Sequence, residues 1–247
     1  VREGGRVICT EGHSFDIARS GYINLLQPQD RRSKDPGDAA GAVKARRALH
    51  DLGVTAPLLA AISRFLGASS SDVVLDVGSG EGFYLASLAE QWKFKAHGID
   101  ISLPAVTAAA KKYPAHEWIV ANADRFVPYA DKSFTKVLSL TARMNPDEFH
   151  RVLQPDGELL IAVPAPDDLI ELRGSGRDRM TRTIDEFSAK FSLARHQRAT
   201  VTAELDTAAI NNILLSIYRP MQANAPQAGP VTFSLDLLLF NSRQSPA

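Results

Sequence analysis

Val73-Val74-Leu75-Asp76-Val77-Gly78-Ser79-Gly80-Glu81-Gly82-Phe83 runs from a short aliphatic segment straight into three alternating glycines and then into an apolar stretch. Branched aliphatic residues around Asp76 read as a strand buried on both faces, the habit of a parallel sheet. Gly78, Gly80 and Gly82 mark a turn that is tight and open to a ligand, since glycine takes positive φ and has no side chain to block an approach. Phe83 to Gln91 then reads as a helix and Lys95 to Ile99 as a second strand, which ends at Asp100, 18 residues after Gly82.

A G-x-G turn alone is shared with dinucleotide-binding folds, so the neighbouring acids have to decide. Asp76 and Glu81 put negative charge where a dinucleotide would place its phosphates, and a cationic cofactor tolerates it. Asp100 stands at the strand end where a carboxylate accepts ribose hydroxyls. The combination points to the sulfonium cofactor S-adenosylmethionine. Candidate contacts are Asp76 for its amino-acid end, Gly78, Gly80, Gly82 and Phe83 along the turn, and Asp100 with Ile101 at the ribose. A third strand, Glu117 to Ala121, leads to Asn122 and Ala123, where a side-chain amide and a backbone N–H can address adenine. Asp124 and Asp131 read as turn residues.

Outward from this core, strand and helix keep alternating: a helix at Leu103 to Lys112, strands at Lys136 to Leu140 and Glu158 to Val163, and a helix at Pro146 to Leu153. The pattern predicts an α/β fold, a Rossmann-like class I methyltransferase architecture with a mostly parallel sheet and helices on both faces. Upstream, Ala39 to Leu66 reads as two helices broken around Gly53 to Pro57. Residues 1–35 read as a small irregular module and 36–247 as the cofactor-binding domain. Beyond Pro166 come a polar, Arg-rich stretch at 173–198, a helix near Thr207 to Ile217, and an apolar strand at Val231 to Leu239 expected at the antiparallel edge of the sheet.

Composition sets the outer limits. The 247 residues are 45% hydrophobic and 23% charged, ordinary for a folded domain. Lys plus Arg and Asp plus Glu both number 28, so an anionic partner must be held by a local patch and not by net charge. Cys9 is the single cysteine, which excludes an internal disulfide framework. No window offers the ~20 apolar residues of a membrane span, and a cytoplasmic protein without membrane contact is expected. The sequence starts at Val1 and not at Met, which leaves room for residues upstream.

The N-terminal segments carry a narrower resemblance. Cys9-Thr10-Glu11-Gly12-His13-Ser14-Phe15-Asp16 followed by Gly21-Tyr22-Ile23-Asn24-Leu25-Leu26, then Arg32-Ser33-Lys34-Asp35-Pro36-Gly37-Asp38, then Ala45-Arg46-Arg47-Ala48-Leu49, together resemble the bacterial 23S rRNA guanine-N1 methyltransferases. The likeness extends through the glycine turn and Pro155-Asp156-Gly157 to Leu172 and fades toward the C-terminus. The resemblance implies methyl transfer from S-adenosylmethionine to N1 of a guanine in 23S rRNA, in some members with protection against macrolide-type antibiotics. It implies 23S rRNA as partner and is compatible with a homodimer. It also implies a zinc module at the N-terminus, of which Cys9 and His13 are the second ligand pair; zinc is expected only if an upstream pair completes the site, because a structural zinc takes four ligands. The family's stacking surfaces bring forward Phe15, Tyr22 and Tyr84.

The sequence departs from that pattern in places. Thr55 stands where relatives can have tyrosine, Asp168 where they can have histidine, and Thr141-Ala142-Arg143-Met144-Asn145-Pro146 lacks a Pro-Cys type sequence at a strand end that faces substrate. Arg143 and Asp168, both expected at the carboxyl edge of the sheet, are the catalytic candidates. His97, His116, His150 and His196 stand in contexts that need no catalysis. Two basic groups, Arg31, Arg32, Lys34, Lys44, Arg46 and Arg47, and then Arg173, Arg177, Arg179, Arg182, Arg195 and Arg198, are candidate phosphate contacts. A small-molecule methyltransferase on the same core and a non-catalytic rRNA-binding or assembly protein are the alternatives.

Overall fold

The computed structural model describes residues 2–3, 5–9, 11–30, 33–217 and 227–243. Thr10, Arg31 and Arg32, named above for the family resemblance and the first basic group, lie outside the described residues. The chain opens with β1 (Arg2–Glu3), β2 (Arg6–Ile8) and β3 (Ser14–Asp16), a three-stranded antiparallel sheet in the order β1-β2-β3. The module expected to be irregular is therefore a small antiparallel sheet, with Val7 opposite Phe15 and a turn at Cys9 to His13.

β4 (Ile23–Asn24) leaves this small sheet and joins the large one. Helices α1 (Ala40–Asp51) and α2 (Ala56–Leu66) follow, then β5 (Val73–Val77), α3 (Phe83–Trp92), β6 (Lys95–Asp100), α4 (Leu103–Lys112), β7 (Glu117–Val120), β8 (Phe134–Leu140), α5 (Pro146–Val152) and β9 (Leu153–Pro164). The chain ends its described course with α6 (Ile170–Arg173), α7 (Met180–Phe187), β10 (Phe191–Leu205), α8 (Thr207–Ser216) and β11 (Gly229–Ser242). The large sheet has eight strands in the order β10-β11-β9-β8-β5-β6-β7-β4. Its pairs from β9 to β4 are parallel, and β10 and β11 are antiparallel additions.

Two expectations shift here. The apolar segment at 231–239 is not the edge: β11 lies inside the sheet, covered by the fifteen-residue β10. Ser192 to Arg198 are mostly exposed, so the first half of this edge strand reads as a polar stretch, and only Ala199, Val201, Ala203 and Leu205 alternate apolar and inward. Second, residues 23–26, within the first 35, pair and pack with the large sheet. Ile23 and Asn24 pair with Ile119 and Val120, the Leu25 amide donates to the Val120 carbonyl, and Leu26 is buried in the main core.

The sheet separates two cores. One lies against α1 to α4 and α8 and includes Ile62, Leu85, Val106, Trp118 and Ile210; the other lies against α5 and α7 and includes Leu75, Phe149, Phe187, Phe191 and Phe240. Alternation along β5 sends Val74 to the first and Leu75 and Val77 to the second. The ends of β5, β6, β7 and β8 form one carboxyl edge. Thr141, just past β8, has a left-handed backbone with φ 57°, a conformation non-glycine residues hold only when their surroundings fix it.

Candidate cofactor and active site

The glycine turn spends its donors internally. The Gly78 and Ser79 amides both donate to the Ile99 carbonyl, at 2.8 and 3.0 Å, and the Gly82 amide donates to the Ser79 carbonyl at 3.0 Å. The Gly80 amide donates to Asp100 Oδ2 at 2.8 Å, and the Ser102 amide to Asp100 Oδ1 at 2.8 Å. A phosphate site needs such N–H groups turned outward. This turn instead leaves acceptors over: Asp76 is buried, and its Oδ1, like Ser79 Oγ, has no hydrogen-bond partner among the described residues.

Burial pushes the Asp76 carboxyl up to about 8, and the nearby Asp100 carboxylate adds to the shift. Asp100 is raised as well, by burial first, with the Ser102 and Gly80 amides pulling the other way. Two buried acids side by side are stable as anions only with a cation between or beside them. The arrangement fits a cationic cofactor and does not fit a pyrophosphate.

The three glycines serve different ends. Gly78, at φ 81°, presses against Ala142: a methyl group placed there would lie 2.2 Å from the Ala142 Cβ. Gly82, also at φ 81°, faces the buried Trp118 ring, and a methyl group there would lie 2.4 Å from the Trp118 Cη2. Gly82 is expected from sequence among the cofactor contacts; Trp118 packing also excludes a side chain there, whereas a methyl group on Gly80 would meet only Arg46 Nη1, at 3.8 Å, among the described residues.

Glu81 changes role too. Its buried carboxylate meets the Arg47 guanidinium of α1, with His50 Nε2 3.7 Å from its other oxygen. Its charge is therefore matched inside the protein, and the case against a dinucleotide passes to Asp76, Asp100 and the spent amides. His50 is pushed down to about 3 by burial, then by Arg47 and Arg46, so it stays neutral. Its Nδ1 lies 2.7 Å from Thr55 Oγ1, and its ring stacks on Phe83 at 3.9 Å and 9°. Phe83 thus faces α1. The Tyr84 hydroxyl is bonded to Thr55 and pushed up to about 12, chiefly by burial. Tyr22 and Tyr84 pack against the main core, and Phe15 is half-buried in β3.

Past β7 the chain turns through Asn122, whose Oδ1 accepts from the Asp124 amide at 3.2 Å. Asn145, absent from the sequence-derived candidates, ties this loop to the next: its Nδ2 donates to the Asp124 carbonyl at 3.1 Å and its Oδ1 caps α5 at Glu148. An Asn immediately before Pro146 at a helix start is a legible capping signal. Arg143 is exposed beside the same loop, 3.3 Å from Asp124 Oδ2. Ile101 follows Asp100 and packs on the main core.

Asp168 lies at the carboxyl edge as expected, yet it is fully engaged. Arg173 pairs with it at 3.0 Å and the Ser234 amide donates to it at 3.1 Å. It ties β11 to the loop after β9, and burial raises its carboxyl above the ordinary carboxylate range, with the Ser234 amide and Arg173 pulling the other way. Several basic candidates are likewise engaged: Arg46 by Asp38, Arg47 by Glu81, Arg195 by the Phe65 carbonyl and Arg198 by Asp236. Lys34, Lys44, Arg177, Arg179 and Arg182 are exposed. His196 pairs with Asp236, and His150 lies 3.0 Å from the Arg243 carbonyl.

Cys9 and His13 do come together, with Sγ 3.4 Å from Nδ1. They remain two donors, and among the described residues no group of three or more His, Cys, Asp or Glu could hold a metal. A structural zinc needs four ligands, so the residues described do not fit zinc by themselves. Among the described residues no helix is long and apolar enough to cross a membrane.

Comparison with known proteins places the site in context. Residues 74–157 match the methyltransferase domain family model. The fold is shared with the YcgJ protein of Bacillus subtilis (TM-score 0.55, 17% identity, 76% of this chain and 98% of that one) and with the tRNA (m1A58) methyltransferase TrmI of Aquifex aeolicus (0.52, 13%, 76% and 69%). The family-model match on this fold makes the protein a class I S-adenosylmethionine-dependent methyltransferase. Residues 1–34 match the RlmA N-terminal zinc-ribbon model. Over 87% of this chain and 80% of the relative, the sequence is 35% identical to the 23S rRNA (guanine(748)-N(1))-methyltransferase of Streptomyces fradiae. It is 33% identical, over 96% and 91%, to YxjB of Bacillus subtilis (strain 168), whose provisional name also gives guanine N1 of 23S rRNA and states no nucleotide number. The chain belongs to the 23S rRNA (guanine-N1)-methyltransferase family.

Proposed function

We propose that this protein transfers the methyl group of S-adenosylmethionine to N1 of a guanine in 23S rRNA. The observation that carries the reading is the 35% identity over 87% of the chain to a relative named for that reaction, joined by the RlmA N-terminal match at residues 1–34. The bound cofactor supplies an electrophilic methyl group. The chain's own residues bind and orient: Asp76 receives the cofactor's ammonium, Asp100 the ribose hydroxyls, and Asn122 with the Ala123 amide the adenine edge. Arg143, the catalytic candidate just past β8, is exposed and paired with Asp124 at 3.3 Å, on the side where the guanine would enter. The chain then has to align the guanine nitrogen with the methyl group and accept or relay the proton that N1 gives up. An rRNA substrate implies that the reaction runs in the cytoplasm.

The test is methyl transfer from labelled cofactor to a 23S rRNA transcript, with the product mapped by reverse-transcription arrest, because an N1 methyl blocks the Watson–Crick edge. A single arrest site at a guanine is expected. Label entering small molecules and not RNA would overturn the reading in favour of a small-molecule enzyme. RNA binding without any turnover would overturn it in favour of a binding or assembly protein.

A further inference from the structure

We infer that Arg46 of α1 is the anchor for the cofactor's α-carboxylate, an assignment that rests on S-adenosylmethionine being the cofactor. A methyl group placed on Gly80 would have Arg46 Nη1 at 3.8 Å, the sole heavy atom within 4 Å among the described residues apart from the adjoining chain. The glycine that opens the turn therefore opens it toward a guanidinium.

Arg46 is held for this task from two sides. Its Nη1 donates to Asp38 Oδ2 at 2.6 Å and its Nη2 to the Ser216 carbonyl at 2.9 Å. Those bonds use two of the five guanidinium N–H groups, which leaves three for a ligand, and a fork already fixed in place loses little freedom when it binds. Arg47, the next residue along α1, points elsewhere: Glu81 and the Tyr113 hydroxyl take it up.

Charge makes the assignment specific. The amino-acid end of the cofactor carries an ammonium and a carboxylate near the sulfonium. Asp38, Asp76 and Asp100 surround the turn, with Asp76 Oδ1 buried and without a partner among the described residues. These acids suit the two cationic groups and repel the carboxylate, which finds its counter-charge at Arg46. The Asp38 contact orients the guanidinium, and the Asp38 carbonyl accepts from Ser102 Oγ at 2.6 Å while the Ser102 amide donates to Asp100, so one chain of bonds links the ribose and amino-acid ends.

The experiment is calorimetric titration of the wild type, Arg46→Met and Arg46→Lys with two ligands. S-adenosylhomocysteine carries the amino-acid end and 5′-methylthioadenosine lacks it. Arg46→Met is expected to weaken S-adenosylhomocysteine about 10- to 100-fold, as loss of a charged hydrogen bond does, and to leave methylthioadenosine within about twofold, with Arg46→Lys between. Equal weakening of both ligands would make Arg46 a brace for the turn and overturn the inference. So would unchanged affinity for S-adenosylhomocysteine in Arg46→Met. A wild type that binds neither ligand would overturn the cofactor reading itself, which the methylthioadenosine arm separates from failure of the arginine. Thermal melting of each variant checks folding, and Arg46→Lys keeps the charge should Arg46→Met fail to fold.

Discussion

Asp76 is where the chemistry of single residues is most exposed to test. Its folded carboxyl holds a proton up to about pH 8, against an ordinary value of 3.8. Between those values the folded chain binds a proton that the unfolded chain has lost, so stability falls as pH rises through this window. Asp76→Asn is expected to flatten that slope, measured by denaturant unfolding from pH 5 to 8. A cofactor cation favours the anion, so binding tightens as pH approaches 8 and expels a proton near neutrality. Calorimetry in two buffers of different ionisation enthalpy reads that proton, and Asp76→Asn should abolish it. Asp100→Ala and Gly80→Val are each expected to weaken cofactor binding at least about tenfold, the first by removing a buried acceptor and the second by filling the space beneath Arg46. Unchanged affinity in both would refute the placement of the site. Asp76 and Asp100 were legible because they flank a glycine turn at fixed spacing. The capture of Glu81 by Arg47 was not, since the two are 34 positions apart and only the packing of α1 over the turn joins them.

Elements show the same division. β5, α3, β6 and α4 were readable almost to the residue, because apolar runs, glycines and prolines mark their ends locally. β10 was not, because its pairing with β11 is set by a partner strand and its own residues are half exposed. The start of α3 depends on a contact invisible in sequence: Gly82 and Gly98 both abut the Trp118 ring. Gly82→Ala is expected to cost about 1–3 kcal/mol of stability, from overpacking against an indole and from a left-handed backbone. Phe187→Ala, in the other core with Phe149, Phe191 and Phe240, is expected to cost about 3–5 kcal/mol and to leave cofactor affinity unchanged. Denaturant titration reads both costs, and failure of a folded Phe187 variant to bind cofactor would contradict the separation of the two cores.

At the scale of the molecule, the balanced charge leaves RNA binding to local groups, and the structure reduces the candidates. With Arg46 turned toward the glycine turn and Arg47, Arg195 and Arg198 paired within the chain, the exposed Arg177, Arg179 and Arg182 are the basic cluster near α7. Replacing these three by Gln is expected to lower the slope of log affinity against log salt by roughly 0.7–0.9 for each phosphate no longer neutralised, while cofactor binding stays as in the wild type. An unchanged slope would move the RNA surface elsewhere. The sequence by itself determined the α/β alternation and the glycine turn with its acids, since each rests on periodicity or spacing within a few tens of residues, and its resemblance to known segments from Cys9 to Leu172 pointed to the family. Only the tertiary structure decided that the amides of Gly78, Ser79, Gly80 and Gly82 are taken up within the chain, that Gly82 abuts Trp118, that Ile23 to Leu26 lie with the large sheet and that Asp168 pairs with Arg173 and the Ser234 amide. Those facts arise where distant segments meet, and burial, ion pairing and close packing are properties of the meeting and not of either segment.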